Sequence, residues 1–252
     1  MAKIPLVTEK RLKLEIPKFK RILKTARDKD INEADTVVII TDMLERVFGF
    51  DKYEDVTREF AIKGTFVDLA IKVEDKIDYL IEVKSIGTEL KELHLRQAIG
   101  YASKEGVKWA ILTNGIEWQI HRVNVDKQVT NESILKFNFL DIKPSLKKDL
   151  ESIFLLCKRG ISSDAIEDYY NHKQVFNRYT VGAILITDDI LKAVKRVLRK
   201  VSPGMKIDDD DLREKISNNI LKRDILESES GIEAIKSLKK TLSKLDRAKK
   251  KN

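Results

Sequence analysis

The sequence predicts an α/β fold in which helices flank a mixed central sheet, followed by a helical region. Apolar residues recur at three- and four-residue steps before residue 50, then alternate with a period of two in short segments up to residue 123. Beyond residue 140, helical spacing dominates. We therefore expect an α/β domain over residues 1–140 and a helical domain or appendage over residues 141–252.

The predicted elements of the first part follow one another as helix, helix, three strands, helix and two strands. The second helix begins after the capping sequence Asp30-Ile31-Asn32-Glu33 and ends at Gly49, and Asn114-Gly115 joins the last two strands as a hairpin. The helices are expected at 16–26, 33–48 and 89–104, and the strands at 60–62, 66–71, 79–84, 109–113 and 118–123. In the second part, helices are expected at 147–158, 163–171, 188–201, 208–227 and 232–251.

The composition excludes several classes of protein. With the single cysteine Cys157, the chain can form neither an intramolecular disulfide nor a thiolate metal cluster, and none of its three histidines has metal-ligand spacing. No segment approaches the ~18 apolar residues of a membrane span, and the N-terminus lacks an apolar leader region. We therefore expect a cytoplasmic protein without a membrane partner. A net charge of +8 favours a polyanionic partner, although many basic proteins bind no nucleic acid.

Two neighbouring strand segments carry the residues of chemical interest. In Tyr79–Lys84, Glu82 and Lys84 share one face because their spacing is two. In Phe66–Ile71, Asp68 interrupts an apolar run, where an unpaired carboxylate is costly. Antiparallel pairing could bring both acids together, and a hard divalent cation such as Mg²⁺ would relieve their repulsion. The alternatives are a charged pair on a solvated face and an aspartate at a strand end or bulge.

These segments and three others resemble a known nuclease family. The order of a helix bearing Glu, a strand bearing Asp, a strand bearing Glu-x-Lys and a helix bearing Gln is that of PD-(D/E)xK nucleases. Five segments between residues 32 and 123 are similar to the N-terminal nuclease domain of type I restriction enzyme R subunits. They are Asn32-Glu33-Ala34, Val67-Asp68-Leu69-Ala70, Ile81-Glu82-Val83-Lys84, Gln97-Ala98-Ile99-Gly100-Tyr101-Ala102 and Thr113-Asn114-Gly115-Ile116-Glu117-Trp118.

The resemblance implies a restriction-endonuclease-like core and a metal-dependent endonuclease that cleaves DNA in a restriction or defence role. Asp68 and Glu82 would bind Mg²⁺, for which Mn²⁺ could substitute, with the Val83 carbonyl as a third ligand. Lys84 would orient or activate the attacking water and neutralise charge that develops on the phosphate. The resemblance also assigns an accessory acidic role to Glu33, and to Gln97 the positioning of the lysine or the substrate.

The sequence departs from the family pattern in two respects. Val67 stands where the motif has proline, and no Gly-x-x-x-x-Gly-Lys-Ser/Thr phosphate loop occurs, so we expect no ATP-driven motor in this chain. The expected partners are DNA, restriction-system subunits or a second copy of the chain. Two alternatives stay open: a non-catalytic module that binds nucleic acid or protein, and a structural assembly protein.

Two charged segments of the helical region allow more than one interpretation. The acidic run Asp208–Asp211 is expected to cap a helix rather than to bind calcium, because it lacks the alternating ligands and glycine of a calcium loop. The basic residues of the last helix either contact phosphates or form a solvated face. They are Lys239, Lys240, Lys244, Arg247 and Lys249–Lys251.

Overall fold

A six-stranded mixed sheet lies at the centre of the N-terminal part of the protein, and it confirms the predicted α/β class. The structure is a computed structural model that describes residues 3–62, 64–74, 76–125 and 129–249. The strands are β1 (Val56–Ile62), β2 (Thr65–Val73), β3 (Lys76–Val83), β4 (Trp109–Thr113), β5 (Glu117–Val125) and β6 (Val129–Asn138).

The strands lie side by side in chain order, from β1 to β6. All neighbours are antiparallel except β3 and β4, which run parallel and are joined by a crossover helix. A parallel pair requires such a crossover because the chain must return to the end of the sheet at which the first strand began. The C-terminal ends of β3 and β4 therefore meet at one edge, where residues 82–84 lie beside residues 112–114.

The sequence analysis predicts five strands and does not predict β6. Most described side chains of β6 are at least partly exposed, and Ile134 is its one fully buried apolar residue. An edge strand pairs on one side only and requires little apolar sequence, so the periodicity that predicts the inner strands is weak here.

Eleven helices are found in the described part of the chain. They are α1 (Leu6–Asp28), α2 (Glu33–Met43), α3 (Glu92–Glu105), α4 (Lys147–Phe154), α5 (Lys158–Ile161), α6 (Ala165–Val175), α7 (Arg178–Leu185), α8 (Asp188–Val201), α9 (Asp209–Lys215), α10 (Arg223–Glu227) and α11 (Glu229–Lys249). A π-helical turn, Leu44–Phe48, extends α2, and another, Ile216–Ile220, extends α9. The expected caps of α2 are confirmed: the Asn32 side chain accepts a hydrogen bond from the Asp35 amide, and Gly49 has a φ of +81°.

The two faces of the sheet pack against different helices. Ile81 and Val83 of β3 join the core that includes residues of α1 and α2, whereas Leu80 joins the smaller core beneath α3. Because successive strand side chains alternate between faces, Glu82 lies on the α3 side with Leu80. The strand thus buries a carboxylate next to an apolar layer.

The chain divides into two compact units, Met1–Tyr170 and Asn171–Asn252. The first unit extends beyond residue 140, the predicted end of the nuclease-like domain, because α4 and α5 contribute apolar residues to the core of the sheet. The boundary at residue 140 between a nuclease-like domain and a helical region stays a prediction. The second unit is helical and has a small core of Leu191, Leu212 and Ile216. No helix in the described ranges has the length and apolar character that a membrane crossing requires.

We expect Trp118→Ala to lower the free energy of unfolding by about 3–5 kcal/mol. Trp118 is fully buried, its Nε1–H donates to the Gly115 carbonyl at 2.9 Å, and its ring centroid lies 5.2 Å from that of Phe48. Chemical denaturation measures the loss. Leu93→Ala, at a position 73% exposed on α3, is the control and should change the value by less than about 0.5 kcal/mol. Equal losses in the two variants would contradict this account of the core.

Candidate active site

The side chain of Asp68 connects β2 to the end of β3. The last backbone pair of β2 and β3 at this end is Leu69 with Ile81. Asp68 and Glu82 are the next residues of the two strands, so they would lie opposite one another if the pairing continued. Beyond that point, the Val83 amide donates to Asp68 Oδ2 at 2.7 Å. This hydrogen bond holds the half-buried Asp68 carboxylate beside the segment that carries Glu82.

Lys84 connects the strand acid to an acid from a distant helix. Its Nζ lies 2.7 Å from Glu82 Oε1 and 3.5 Å from Glu33 Oε2, where Glu33 is the first residue of α2. The side chain of Glu82 is 3% exposed and that of Lys84 is 14% exposed, whereas that of Glu33 is 48% exposed. The structure thus brings Glu33, Glu82 and Lys84 together, with Asp68 beside them.

Burial sets the protonation of the two strand acids. Burial raises the pKa of Glu82 from 4.5 to about 7; the hydrogen bond from Lys84 offsets part of this rise, and the charge of Asp68 adds to it. Burial also raises the pKa of Asp68, against the Val83 hydrogen bond and the charge of Lys84. Negative charge at this position is therefore incompletely compensated by the protein.

The ammonium of Lys84 is stabilised by its acidic neighbours. Burial alone would lower the pKa of Lys84, but the hydrogen bond to Glu82 and the charges of Glu82, Glu33 and Asp68 outweigh it and raise the pKa. Lys84 is therefore a cation at neutral pH. It can donate hydrogen bonds and stabilise negative charge.

The donor atoms suit a hard divalent cation. Asp68 Oδ2 and Glu82 Oε1 are engaged by Val83 and Lys84, while their second oxygens have no recorded hydrogen bond in the described ranges. Among the described residues, no group of three or more His, Cys, Asp or Glu side chains is arranged to hold a metal ion. The candidate ligands are the carboxylates of Asp68 and Glu82, and Mg²⁺ commonly binds one or two carboxylates together with water and phosphate oxygens.

Two further predicted site residues, Gln97 and Val83, have no side-chain contact with the charged cluster in the described part of the structure. Gln97 is exposed on α3, and its Nε2 donates to Tyr101 Oη at 3.0 Å; no bond to Lys84 is recorded in the part of the chain that the structure describes. The side chain of Val83 is buried in the core, so only its backbone is available to the site. The roles assigned to both residues stay predictions.

Glu59 is a neighbour of the site that the sequence analysis missed. It lies in β1 between Arg58, which pairs with Leu69, and Phe60, which pairs with Val67, so it is opposite Asp68. Its φ of +47° is in the left-handed region, where a non-glycine residue is strained. Its charge also raises the pKa of Asp68. Glutamate has no preference for this conformation, so the sequence holds no signal for it.

The loop after Lys84 is held by contacts that the motif does not contain. The hydroxyls of Ser85 and Thr88 lie 2.6 Å apart, and Asn114 Nδ2 donates to the Thr88 carbonyl at 2.9 Å. At Gly87, an added Cβ would lie 2.3 Å from Asp30 Oδ1, so the loop closely approaches the segment that leads into Glu33. These contacts fix Lys84 relative to both β4 and α2.

The segment that carries these residues is similar to a known protein family. Residues 29–142 match the family model described as type I restriction enzyme R protein N terminus. This segment is therefore similar to the R-protein N-terminal family. The match spans a little under half of the chain and includes Glu33, Asp68, Glu82, Lys84 and Gln97. A search of curated proteins found no match, and neither did a search of solved structures.

We expect Glu82→Gln to stabilise the protein at pH 8 but not at pH 4, without divalent ions. Because folding raises the pKa of Glu82 to about 7, the folded state holds this proton more tightly than the unfolded chain. Its contribution to stability is therefore fully present below pH ~4.5 and is lost as the pH rises through ~7. Glutamine keeps an acceptor for Lys84 and removes the charge.

Denaturant titrations of wild type and Glu82→Gln at pH 4 and pH 8 measure this effect. The free energy of unfolding of the variant should exceed that of wild type by about 2–3 kcal/mol at pH 8. The two proteins should have equal values at pH 4, which is the internal control. A variant no more stable than wild type at pH 8 would show that the carboxylate is well compensated.

Proposed function

We propose that this protein is a Mg²⁺-dependent endonuclease that hydrolyses DNA phosphodiester bonds in a restriction or defence system. The observation that carries the proposal is the position of the Lys84 ammonium, 2.7 Å from the buried Glu82 and beside Asp68. The match of residues 29–142 to the R-protein N-terminal family supports a restriction-like nuclease role. Hydrolysis of a phosphodiester requires stabilisation of negative charge, and this cluster concentrates the groups that supply it.

Asp68 and Glu82 would hold the ion through their second carboxylate oxygens, with the Val83 carbonyl as a further ligand. A bound Mg²⁺ supplies Lewis-acid polarisation of the phosphate and lowers the pKa of a coordinated water. The raised pKa of Glu82 is consistent with such a site, since its carboxylate gains more than an ordinary one from a nearby cation.

Lys84 would donate hydrogen bonds to the attacking water or to a phosphate oxygen. Because its pKa is raised, it acts as a fixed positive charge and orients its partner rather than removing a proton. The more exposed Glu33 lies 3.5 Å from the same ammonium and would serve as the accessory acidic residue. Gln97, whose amide is oriented by the Tyr101 hydroxyl, would contact the substrate from α3.

The proposed partners follow from the same family. DNA is the substrate, and other restriction-system subunits or a second copy of the chain are the protein partners. We propose no ATP requirement, because the sequence contains no Gly-x-x-x-x-Gly-Lys-Ser/Thr segment.

Cleavage of supercoiled plasmid DNA tests the proposal. We expect nicking or linearisation that requires Mg²⁺ or Mn²⁺ and falls by about 100-fold or more in Asp68→Ala, Glu82→Ala and Lys84→Ala, because each change removes a metal ligand or the fixed positive charge. Gel assays of the purified variants measure the rate.

The matched control is Lys24→Ala, which removes an exposed lysine from α1 of the same unit and should retain full activity. Equal nicking by wild type and Lys84→Ala would indicate a contaminating nuclease and would remove the case for this site.

A second candidate function is a nuclease-like module that binds nucleic acid or protein without cutting. The direct ion pair of Lys84 with Glu82 favours it, because this pair compensates the buried acid in part without any metal. Titration calorimetry with Mg²⁺ and Mn²⁺ distinguishes the two functions. Binding that disappears in Asp68→Ala supports the nuclease, and absence of divalent binding with and without DNA supports the module.

A further inference from the structure

The net charge of the protein is carried entirely by the second unit. Of the 49 Lys and Arg residues and the 41 Asp and Glu residues of the chain, residues 171–252 hold 20 and 12. The first unit keeps 29 of each, so its formal charge is zero while that of the second is +8. The unit that contains the candidate active site therefore has no net charge with which to attract a polyanion.

Helix α8 presents a row of basic side chains to solvent. Arg196, Arg199 and Lys200 lie at i, i+3 and i+4, which places them on one face of the helix, and all three are exposed. No ion pair is recorded for them in the described ranges, whereas Lys195 on the neighbouring face lies 2.7 Å from Asp209.

Helix α11 presents a second basic row. Lys236, Lys240, Lys244 and Arg247 follow one another at intervals of four, four and three, so they line one side of the helix over three turns. All four are exposed, and none of them has an acidic partner among the side chains that the structure describes.

The acidic run of the same unit does not neutralise these rows. Asp208 caps α9, as the sequence predicts, by accepting a hydrogen bond from the Asp210 amide. Asp209 pairs with Lys195, and Arg213 bridges Asp210 and Asp188. Asp208, Asp209 and Asp210 are thus engaged around the start of α9, and none of them pairs with a residue of the two basic rows.

The two helices that carry the rows both border one cavity of this unit. Lys192 of α8 and Lys239 of α11 line the same cavity, which has a volume of about 720 Å³. Lys192 is one turn before Arg196, and Lys239 is the neighbour of Lys240.

We propose that the basic rows of α8 and α11 are the surface through which this protein binds the phosphate backbone of double-stranded DNA. This inference rests on the proposed nuclease function, which supplies the substrate. Unpaired lysine and arginine side chains that approach DNA release condensed counterions, and this release favours binding without sequence preference. The surface supplies affinity, and Asp68, Glu82 and Lys84 supply the chemistry.

The test compares full-length variants in binding to a short fluorescent DNA duplex, with EDTA present so that no cleavage occurs. One variant carries Arg196→Gln, Arg199→Gln and Lys200→Gln, and a second carries Lys240→Gln, Lys244→Gln and Arg247→Gln. The matched control carries Lys10→Gln, Arg21→Gln and Lys24→Gln, which remove three exposed charges from α1 of the first unit.

Each variant of the second unit should bind DNA about 10-fold or more weakly, and its slope of log K against log salt should shrink by about 2–3. The control should keep the Kd and the salt slope of wild type. Glutamine favours helices and these positions are exposed, so circular dichroism should show unchanged helix content. If a triple variant loses helix content, the single variants Arg199→Gln and Lys244→Gln replace it in the test. Each should change the slope of log K against log salt by about 1.

The inference is overturned if the row variants bind DNA as tightly as wild type, or if the α1 control weakens binding equally. It is also overturned if the rows are needed for binding to anionic lipid vesicles or to duplex RNA but not to DNA. Plasmid cleavage separates this inference from the proposed function. Row-dependent binding without any cleavage by wild type removes the nuclease alone, and unchanged cleavage in the row variants removes this surface alone.

Discussion

The carboxylate of Glu82 is buried at the end of β3, and the electrostatic cost of that burial governs the rest of the site. The residue is 2% exposed, lies on the face of the sheet that α3 covers, and has Asp68 as a neighbour. Lys84 and the Val83 amide compensate the two acids in part, and the pKa of Glu82 nonetheless rises to about 7. Folding thus creates a position that gains stability from added positive charge.

Rigid neighbours hold this charge arrangement in place. The parallel pairing of β3 with β4 fixes the end of β3, and Lys84 itself donates its amide to the Thr113 carbonyl at 2.9 Å. The Asn114 side chain then holds the following loop through Thr88. Preorganised dipoles and charges are effective in catalysis because they need not reorganise when charge develops. The supporting contacts therefore matter to the proposed chemistry as much as the motif residues do.

The sequence predicts the convergence of Asp68 and Glu82 because both depend on local rules: a strand period of two and a short connection between neighbouring strands. The proximity of Glu33 to Lys84 joins residues 51 positions apart, and only the family resemblance predicts it. The strained backbone of Glu59 and the bridge from Asn114 to Thr88 depend on tertiary packing and have no sequence signal.

Helix α7 illustrates the same limit in the second unit, where the sequence analysis predicts no helix. Its sequence contains Thr180, Val181 and Gly182, which are poor helix formers. The helix is instead stabilised by the Asn177 cap and by close packing, since a Cβ on Gly182 would lie 2.3 Å from Ile225 Cγ2. By contrast, α8 is observed at the predicted bounds, because its apolar and basic residues alternate with a clear helical period.

The most direct test of the central claim locates a divalent ion on the protein itself. Substoichiometric Mn²⁺ added to ¹⁵N-labelled wild-type protein broadens the amide signals of residues near the bound ion. The account predicts broadening centred on the amides of Asp68, Glu82, Val83 and Lys84, and its loss in Asp68→Asn. Broadening centred elsewhere, or none at saturating Mn²⁺, would contradict the claim that these two strands build a metal site.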